Sequence, residues 1–261
     1  MNPALHVSKT GLQAQEIKLQ LIANNLANVN TPAFKRDGAI FEDQFYEVVR
    51  APGASTGGDN KSLSGMQLGT GVRFAATHKE FSQGKVEQTS NETDVAINGN
   101  GFFQVTLPSG DTAYTRAGNL GWNAEGLLSL NGGAGVPLQP EITKPEGAGE
   151  ISISATGQVS AKVNGELQEL GTLTLATFMN SAGLQATGEN LYVATEASGD
   201  AITGEPGEPG FGVLAQKALE TSNVVAVTEM VDMIAAQRSY EMSTKVLSAA
   251  DDMMRNLAQA V

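Results

Sequence analysis

The sequence contains no cysteine, which excludes a disulfide framework, a thiol nucleophile and a thiolate metal site. Aromatic residues make up only 5% of the 261 residues, and the 16 lysines and arginines are outnumbered by 28 aspartates and glutamates for a formal charge of -12. Nucleic acids and anionic membranes are bound by clustered basic residues, so neither is an expected partner. No stretch approaches the roughly 18 consecutive apolar residues of a membrane span, and no membrane insertion is expected. The opening MNPALHVSKTGLQAQ also lacks the basic start and unbroken apolar run of a secretory signal peptide. A chain of this kind that leaves the cytoplasm is expected to use another export route.

Catalytic signatures are equally scarce. The two histidines, His6 and His78, lie in different segments without a motif partner and read as surface or packing residues. There is no Walker motif, HExxH, GxSxG or dinucleotide fingerprint. The NGNG at 98–101 lacks the aspartate series and terminal glutamate of a calcium loop and reads as a hairpin turn. Carboxylates are plentiful, and a glycosidase pair is defined by spatial separation, so residue inventory alone does not settle that chemistry. No catalytic residue, cofactor or metal site is expected.

What the chain does have is glycine, 30 residues, above the average usage of about 7%. It also has two long helical patterns at its ends. Asn2 and Pro3 supply an N-cap and a first-turn proline, and the helix they open is expected to run to about residue 28. Leu5, Leu12, Leu19 and Leu26 recur every seven residues, with Ile22 and Val29 on the complementary row and Ser8 and Gln15 weakening it. At the other end Thr221, Ser222 and Asn223 precede a clearer seam. One row is Met233, Tyr240, Leu247, Met254 and Val261; the other is Ala236, Ser243, Ala250 and Leu257. Its small residues permit close helix approach.

Between the ends, short strand-forming segments at 95–97, 102–107, 127–130, 151–153, 173–178 and 191–195 alternate with turn-like NGNG, PSGD, NAEG and NGG. The fold class is α+β, with terminal helices forming a coiled-coil-like assembly domain around a mainly antiparallel β body. The expected divisions are an assembly helix at 1–30, an extended connection at 31–90 with a Gly- and Ser-rich loop at 50–71, and a β domain at 91–204. A linker at 205–222, containing GEPGEPG, then leads to a second assembly helix at 223–261. Apolar residues at helical spacing usually serve as core. Here the two helices sit at opposite ends of the chain, beyond flexible stretches, and an unpaired helix is only marginally stable. Such ends are expected to be loosely ordered alone and to fold on meeting copies of themselves.

The segment IANNLANVNTPAFKR at 22–36 places Asn24, Asn25, Asn28 and Asn30 at a helix end. Asparagine is weak inside a helix because its amide competes for backbone hydrogen bonds, and the same amide fastens caps and turns. Pro32 then forces Thr31 into extended chain.

Three stretches resemble a known family. TGLQAQEIKLQLIANNLANVNTPAFKR resembles the N-terminal signature of the bacterial flagellar rod and hook proteins, and LETSNVVAVTEMVDMIAAQRSYEMSTKVLSAADDMM their closing motif. TDVAINGNGFFQV with YTRAGNL is similar to their central β domain. The likeness runs from end to end in the family's order. FEDQFYEVVRAPG running into GMQLGTGVR makes the distal-rod members the nearest in pattern. The resemblance implies an axial subunit exported without a cleaved signal peptide by the flagellar type III apparatus. Many copies would stack into a hollow shaft that crosses the periplasm in the basal body and transmits motor torque to the hook. Implied partners are copies of itself, proximal rod and hook or hook–rod junction subunits, the export apparatus and the surrounding ring proteins.

Carried over, Leu5, Leu12, Leu19, Ile22, Leu26, Met233, Tyr240, Leu247, Met254 and Leu257 would be self-assembly residues. Asn28, Asn30, Pro32, Ala33 and Phe34 would form the joint, and the 50–71 loop a second intersubunit element. The family usually has glycine where this chain has Ala33. Glycine tolerates positive φ and alanine does so at a cost, which leaves room for a different local turn. The alternatives are a proximal rod or hook-type subunit and, from another class, a secreted β-domain carbohydrate-binding protein or hydrolase.

Overall fold

The computed structural model describes residues 3–52, 63–132, 135–145, 147–163 and 166–259, with the side chains of Pro3, Ala4 and Leu257 outside that description. Asn2, Val261 and the middle of the 50–71 loop therefore lie outside the described residues. The chain forms two compact units. One comprises residues 1–27, 37–78 and 225–261; the other comprises 28–36 and 79–224.

The first unit holds both long helices, α1 (Pro3–Ala27) and α2 (Ala226–Gln259). They run antiparallel against each other: Asn25 meets Glu229 near one end, and a Cβ added at Gly11 would touch the Ser243 hydroxyl. The ends expected to be loosely ordered alone thus find a partner within one chain. The seam is not the leucine row. Ile22, Ala14, Ala236 and Ala250 are buried, whereas Leu5, Leu12, Leu19, Leu26, Met233 and Leu247 are half-buried flanks. Small side chains go inside because they let two backbones approach, and the larger row is displaced to the rim.

Two short antiparallel pairs complete this unit. Asp37–Asp43 pairs with Val72–Lys79, and Tyr46–Arg50 pairs with Met66–Gly69. The second pair takes in part of the stretch expected as a mobile loop. Met66 stands opposite Arg50 and Leu68 opposite Glu47, a pattern that the surrounding glycines and serines conceal.

The second unit is antiparallel β. Its main sheet has the strand order Gln185–Gly188, Leu191–Val193, Thr112–Thr115, Phe102–Thr106, Leu175–Thr177, Ile202–Gly204, with Leu138–Gln139 also on Phe102–Thr106. The central strand is buried on both faces, which is why FFQV reads as a continuous rather than alternating pattern. Phe103 and Val105 face one cluster with Val95, Ile97, Leu175 and Leu214. Phe102 faces another with Tyr114, Tyr192 and Phe178, arranged edge to face at centroid distances of 4.7–6.2 Å. A three-stranded sheet follows, Ala148–Ile153, Gln158–Val163 and Glu166–Thr172.

Residues 205–222, expected as a linker, carry structure of their own. GEPGEPG makes a closed turn in which Phe211 N–H donates to the Glu208 carbonyl at 2.9 Å. Val213–Gln216 then pairs with Val95–Asn98, and Ala218–Glu220 with Val86–Gln88. The chain returns along its own earlier strands before α2 begins.

Candidate assembly face and its joint

Helix α2 is far longer than its buried seam requires. On the side away from Ala236 and Ala250 it presents Val227, Val231, Ile234, Met242, Val246 and Met253, at 71%, 60%, 50%, 60%, 54% and 59% exposure. Their spacings of four, three, eight, four and seven residues hold them on one stripe of a 3.6-residue helix. Single exposed apolar residues are ordinary, but several on one helix face, here interrupted by the exposed Arg238 and Lys245, mark an interaction surface. Tyr240 and Met254, expected in the assembly seam, are 41% and 44% exposed on the side of the helix that carries Ala236 and Ala250. The Leu257 side chain lies outside the described residues.

A second apolar surface of the same unit lies on the Tyr46–Arg50 and Met66–Gly69 hairpin. Phe45, Tyr46, Val48, Val49, Met66 and Leu68 are all about half exposed or more.

The asparagines at the end of α1 divide their work. Asn25 is 1% exposed. Its amide donates to the Asp37 carbonyl at 3.0 Å and accepts from the Asp37 N–H at 2.8 Å, in the manner of one rung of a β-ladder. The same amide nitrogen lies 3.4 Å from a carboxylate oxygen of buried Glu229 in the first turn of α2. Asn24 donates to the Asp37 carboxylate at 3.1 Å. Asn25 was not among the expected joint residues. Replacing Asn25 by leucine strands both Asp37 backbone groups and is expected to destabilise this unit by about 2–3 kcal/mol. Urea unfolding followed by helical circular dichroism measures it.

The joint residues 28–36 belong to the β unit. Asn28 receives the Thr31 hydroxyl on its side chain at 3.2 Å and the Thr31 N–H on its carbonyl at 3.1 Å. The Pro32 carbonyl accepts from the Asn190 amide at 2.9 Å. Phe34 is buried with the Lys79 ammonium 5.1 Å from its ring centroid. Asn30 is exposed.

Ala33 adopts φ 57°. This is the left-handed conformation that glycine would favour. Two things hold it: the Ala33 N–H donates to the Glu220 carbonyl at 2.8 Å, and its methyl group is buried in the main β cluster. Ala33→Gly relieves about 1–2 kcal/mol of left-handed strain, but loses the buried methyl and gains unfolded-state entropy, together about 1–2 kcal/mol. It is expected to be neutral within about 0.5 kcal/mol, whereas Ala33→Val, β-branched at positive φ, is expected to cost 2 kcal/mol or more. Thermal melts of the three proteins decide this.

The next residue carries a signal that sequence gave no reason to suspect. Lys35 is fully buried, and its ammonium donates to Glu220 Oε1 at 2.6 Å and to the Ser82 carbonyl at 2.7 Å. The Gly84 N–H also donates to Glu220 Oε1 at 2.8 Å. Arg116 Nε donates to Glu220 Oε2 at 2.9 Å, and its terminal nitrogens donate to the Gly101 and Gly99 carbonyls. One anion thus serves two buried cations. Burial pushes the Lys35 pKa below its ordinary 10.5; the Glu220 carboxylate opposes the shift and the Arg116 charge adds to it.

Among the described residues, no group of three or more histidine, aspartate or glutamate side chains is placed to hold a metal, and no helix is long and apolar enough to cross a membrane. His6 Nδ1 lies 3.1 Å from the Thr70 carbonyl, and the His78 ring occupies the space that Gly38 leaves by lacking a Cβ.

Comparison with known proteins places these features. Three family models match in order: "Flagella basal body rod protein" at residues 5–35, "Flagellar hook protein FlgE/F/G D1 domain" at 96–161 and "Flagellar basal body rod FlgEFG protein C-terminal" at 215–260. The flagellar basal-body rod protein FlgG of Buchnera aphidicola subsp. Baizongia pistaciae is 48% identical over 99% of both chains. The chain belongs to the FlgG family of flagellar basal-body rod proteins. The Caulobacter vibrioides FlgG is 42% identical over 98% of each chain, while a FlgF from the same organism is 30% identical over 99% of this chain and 98% of its own. The higher identity to FlgG separates the family from its rod relative. A solved Helicobacter pylori flagellar hook protein, FlgE2, aligns with 71% of this chain and 43% of its own at 16% identity and a TM-score of 0.26, too weak a likeness to add to the fold.

Proposed function

We propose that the protein is a structural axial subunit of the distal rod of the bacterial flagellar basal body. Copies assemble helically into a hollow shaft that carries motor torque to the hook. The observation that supports this best is the unpartnered apolar stripe of α2 in a chain of this family. A subunit that catalyses nothing still needs a large adhesive surface, and this one lies along a helix already braced by α1. Many weak contacts repeated along a lattice give avidity without one tight interface, and non-closing head-to-tail contacts make filaments.

In this reading the stripe, together with Leu5, Leu12, Leu19, Ile22, Leu26, Met233, Tyr240, Leu247, Met254 and Leu257, makes the contacts of the inner layer between copies. The apolar hairpin at 46–69 supplies a second contact between copies. Residues 28–34 form the joint that leads from the assembly helix at 1–30 into the β body, and 223–261 return as its partner. The partners are other copies, proximal rod and hook or hook–rod junction subunits, and the surrounding ring proteins. Transit to the periplasm is through the flagellar export apparatus.

Electron microscopy of the concentrated full-length protein tests the reading. Tubes or filaments are expected. A persistent monomer with saturable binding of a sugar would favour a secreted carbohydrate-binding protein instead.

A further inference from the structure

We propose that residues 212–224 are the closing segment of the β unit, latched by the Lys35–Glu220–Arg116 triad, so that the unit stays open until this late part of the chain arrives. The segment makes no hairpin with its sequence neighbours. Gly212 N–H donates to the Asn100 carbonyl, Lys217 N–H to Asp94, and Thr221 N–H to Lys85, at 2.7, 2.8 and 2.7 Å. In return, Thr89 N–H donates to the Lys217 carbonyl at 2.7 Å, and Ala33 N–H to Glu220 at 2.8 Å. Asn223 finishes the seam, its amide donating to the Glu80 carbonyl at 2.7 Å and accepting from the Arg36 N–H at 2.8 Å. Between these points both strands of the segment lie on partners more than a hundred positions earlier.

Loop-closure entropy delays such pairings relative to local ones. Phe102–Thr106 with Thr112–Thr115, and Gln158–Val163 with Glu166–Thr172, each close a short loop and need nothing from the end of the chain. Electrostatics sharpens the order. Before Glu220 arrives, Lys35 and Arg116 have the carbonyls of Ser82, Gly99 and Gly101 and, for Arg116, the Phe102 ring 5.8 Å away, but no anion among the described contacts of the site. Two cations without an anion resist removal from water, so the region they line cannot collapse early. Glu220 neutralises one charge, ties down the other and takes the Gly84 N–H. Gly84 is needed there because a Cβ would collide with the Thr221 carbonyl. A chain delivered N-terminus first presents both cations long before their anion. The triad therefore acts as a completion lock, independent of what the assembled copies do.

Pulse-labelled hydrogen exchange during refolding of the full-length protein tests this. Amides of the Phe102–Thr106 and Thr112–Thr115 pair are expected to gain protection about ten-fold sooner than those of Ala33, Thr89, Lys217 and Thr221. In native Glu220→Gln, the latter four are expected to exchange about ten-fold faster while the hairpin amides are unchanged. Simultaneous protection of both sets during refolding would overturn the proposal. So would a variant in which the two sets accelerate together, or neither does.

Discussion

Glu220→Leu is expected to destabilise the β unit by about 3–5 kcal/mol, the range found when one partner of a buried ion pair is removed. The loss would be large against a typical total stability of about 5–15 kcal/mol. The leucine fills much of the same volume, so the cost is not a cavity. Lys35 and Arg116 are 0% and 4% exposed at their side chains and would face each other without the carboxylate between them, and the Gly84 N–H would lose its acceptor. Replacing all three charges together, as Lys35→Met, Arg116→Met and Glu220→Leu, should recover part of the loss because no uncompensated charge remains. Recovery should be incomplete, since the carbonyls of Ser82, Gly99 and Gly101 then lose their donors. Denaturant unfolding of the three proteins gives the ranking: parent, triple variant, single variant. A single variant as stable as the parent would remove the triad from any account of this fold.

Val231→Asp combined with Met242→Asp is expected to abolish filament formation while leaving the subunit folded. Both positions are 60% exposed on the free face of α2, so the monomer loses little; surface helix substitutions of this kind change stability by about 0.5 kcal/mol each. In a lattice the same positions recur in every copy, and burying four carboxylates per pair of copies is prohibitive without partners. Sedimentation of the purified variant and motility of cells carrying it as their sole copy read the two sides. Tubes from the double variant would locate the interface elsewhere, with the Tyr46–Gly69 hairpin as the next surface to alter.

Local signals served well where local physics decides. Pro3 opens α1 as its fixed φ predicts. The strands at Val95–Asn98, Phe102–Thr106 and Leu191–Val193 lie where β-branched and aromatic residues cluster between glycine turns. The missed strands are those made by distant partners. Ala218–Glu220 sits in AQKALE, a helix-former's composition, and becomes a strand because Val86–Gln88 offers it a ladder. Gln158–Val163 and Glu166–Thr172 are too polar to announce themselves.

The candidate site divides in the same way. The helix seams were visible as heptads, but which row would be buried depended on how closely α2 approaches Gly11, a property of two helices rather than one. Lys35 between Phe34 and Arg36 looks like a surface lysine until Glu220, 185 positions away, is placed against it. Of four asparagines in one stretch, Asn25 is set apart by its ladder-like pair of bonds to the Asp37 backbone and by the nearby Glu229 carboxylate.

The antiparallel run of α1 against α2 matters for anyone who wishes to label this molecule. With Asn25 beside Glu229 and Gly11 beside Ser243, the early residues of α1 and the late turns of α2 sit at the same end of the helix pair. A fluorescent protein or affinity tag fused to either terminus therefore loads one place, next to the apolar stripe, and moving it from one terminus to the other gains nothing. The turn at Gly110, where an added Cβ meets no atom within 4 Å, offers an insertion point in the β unit instead.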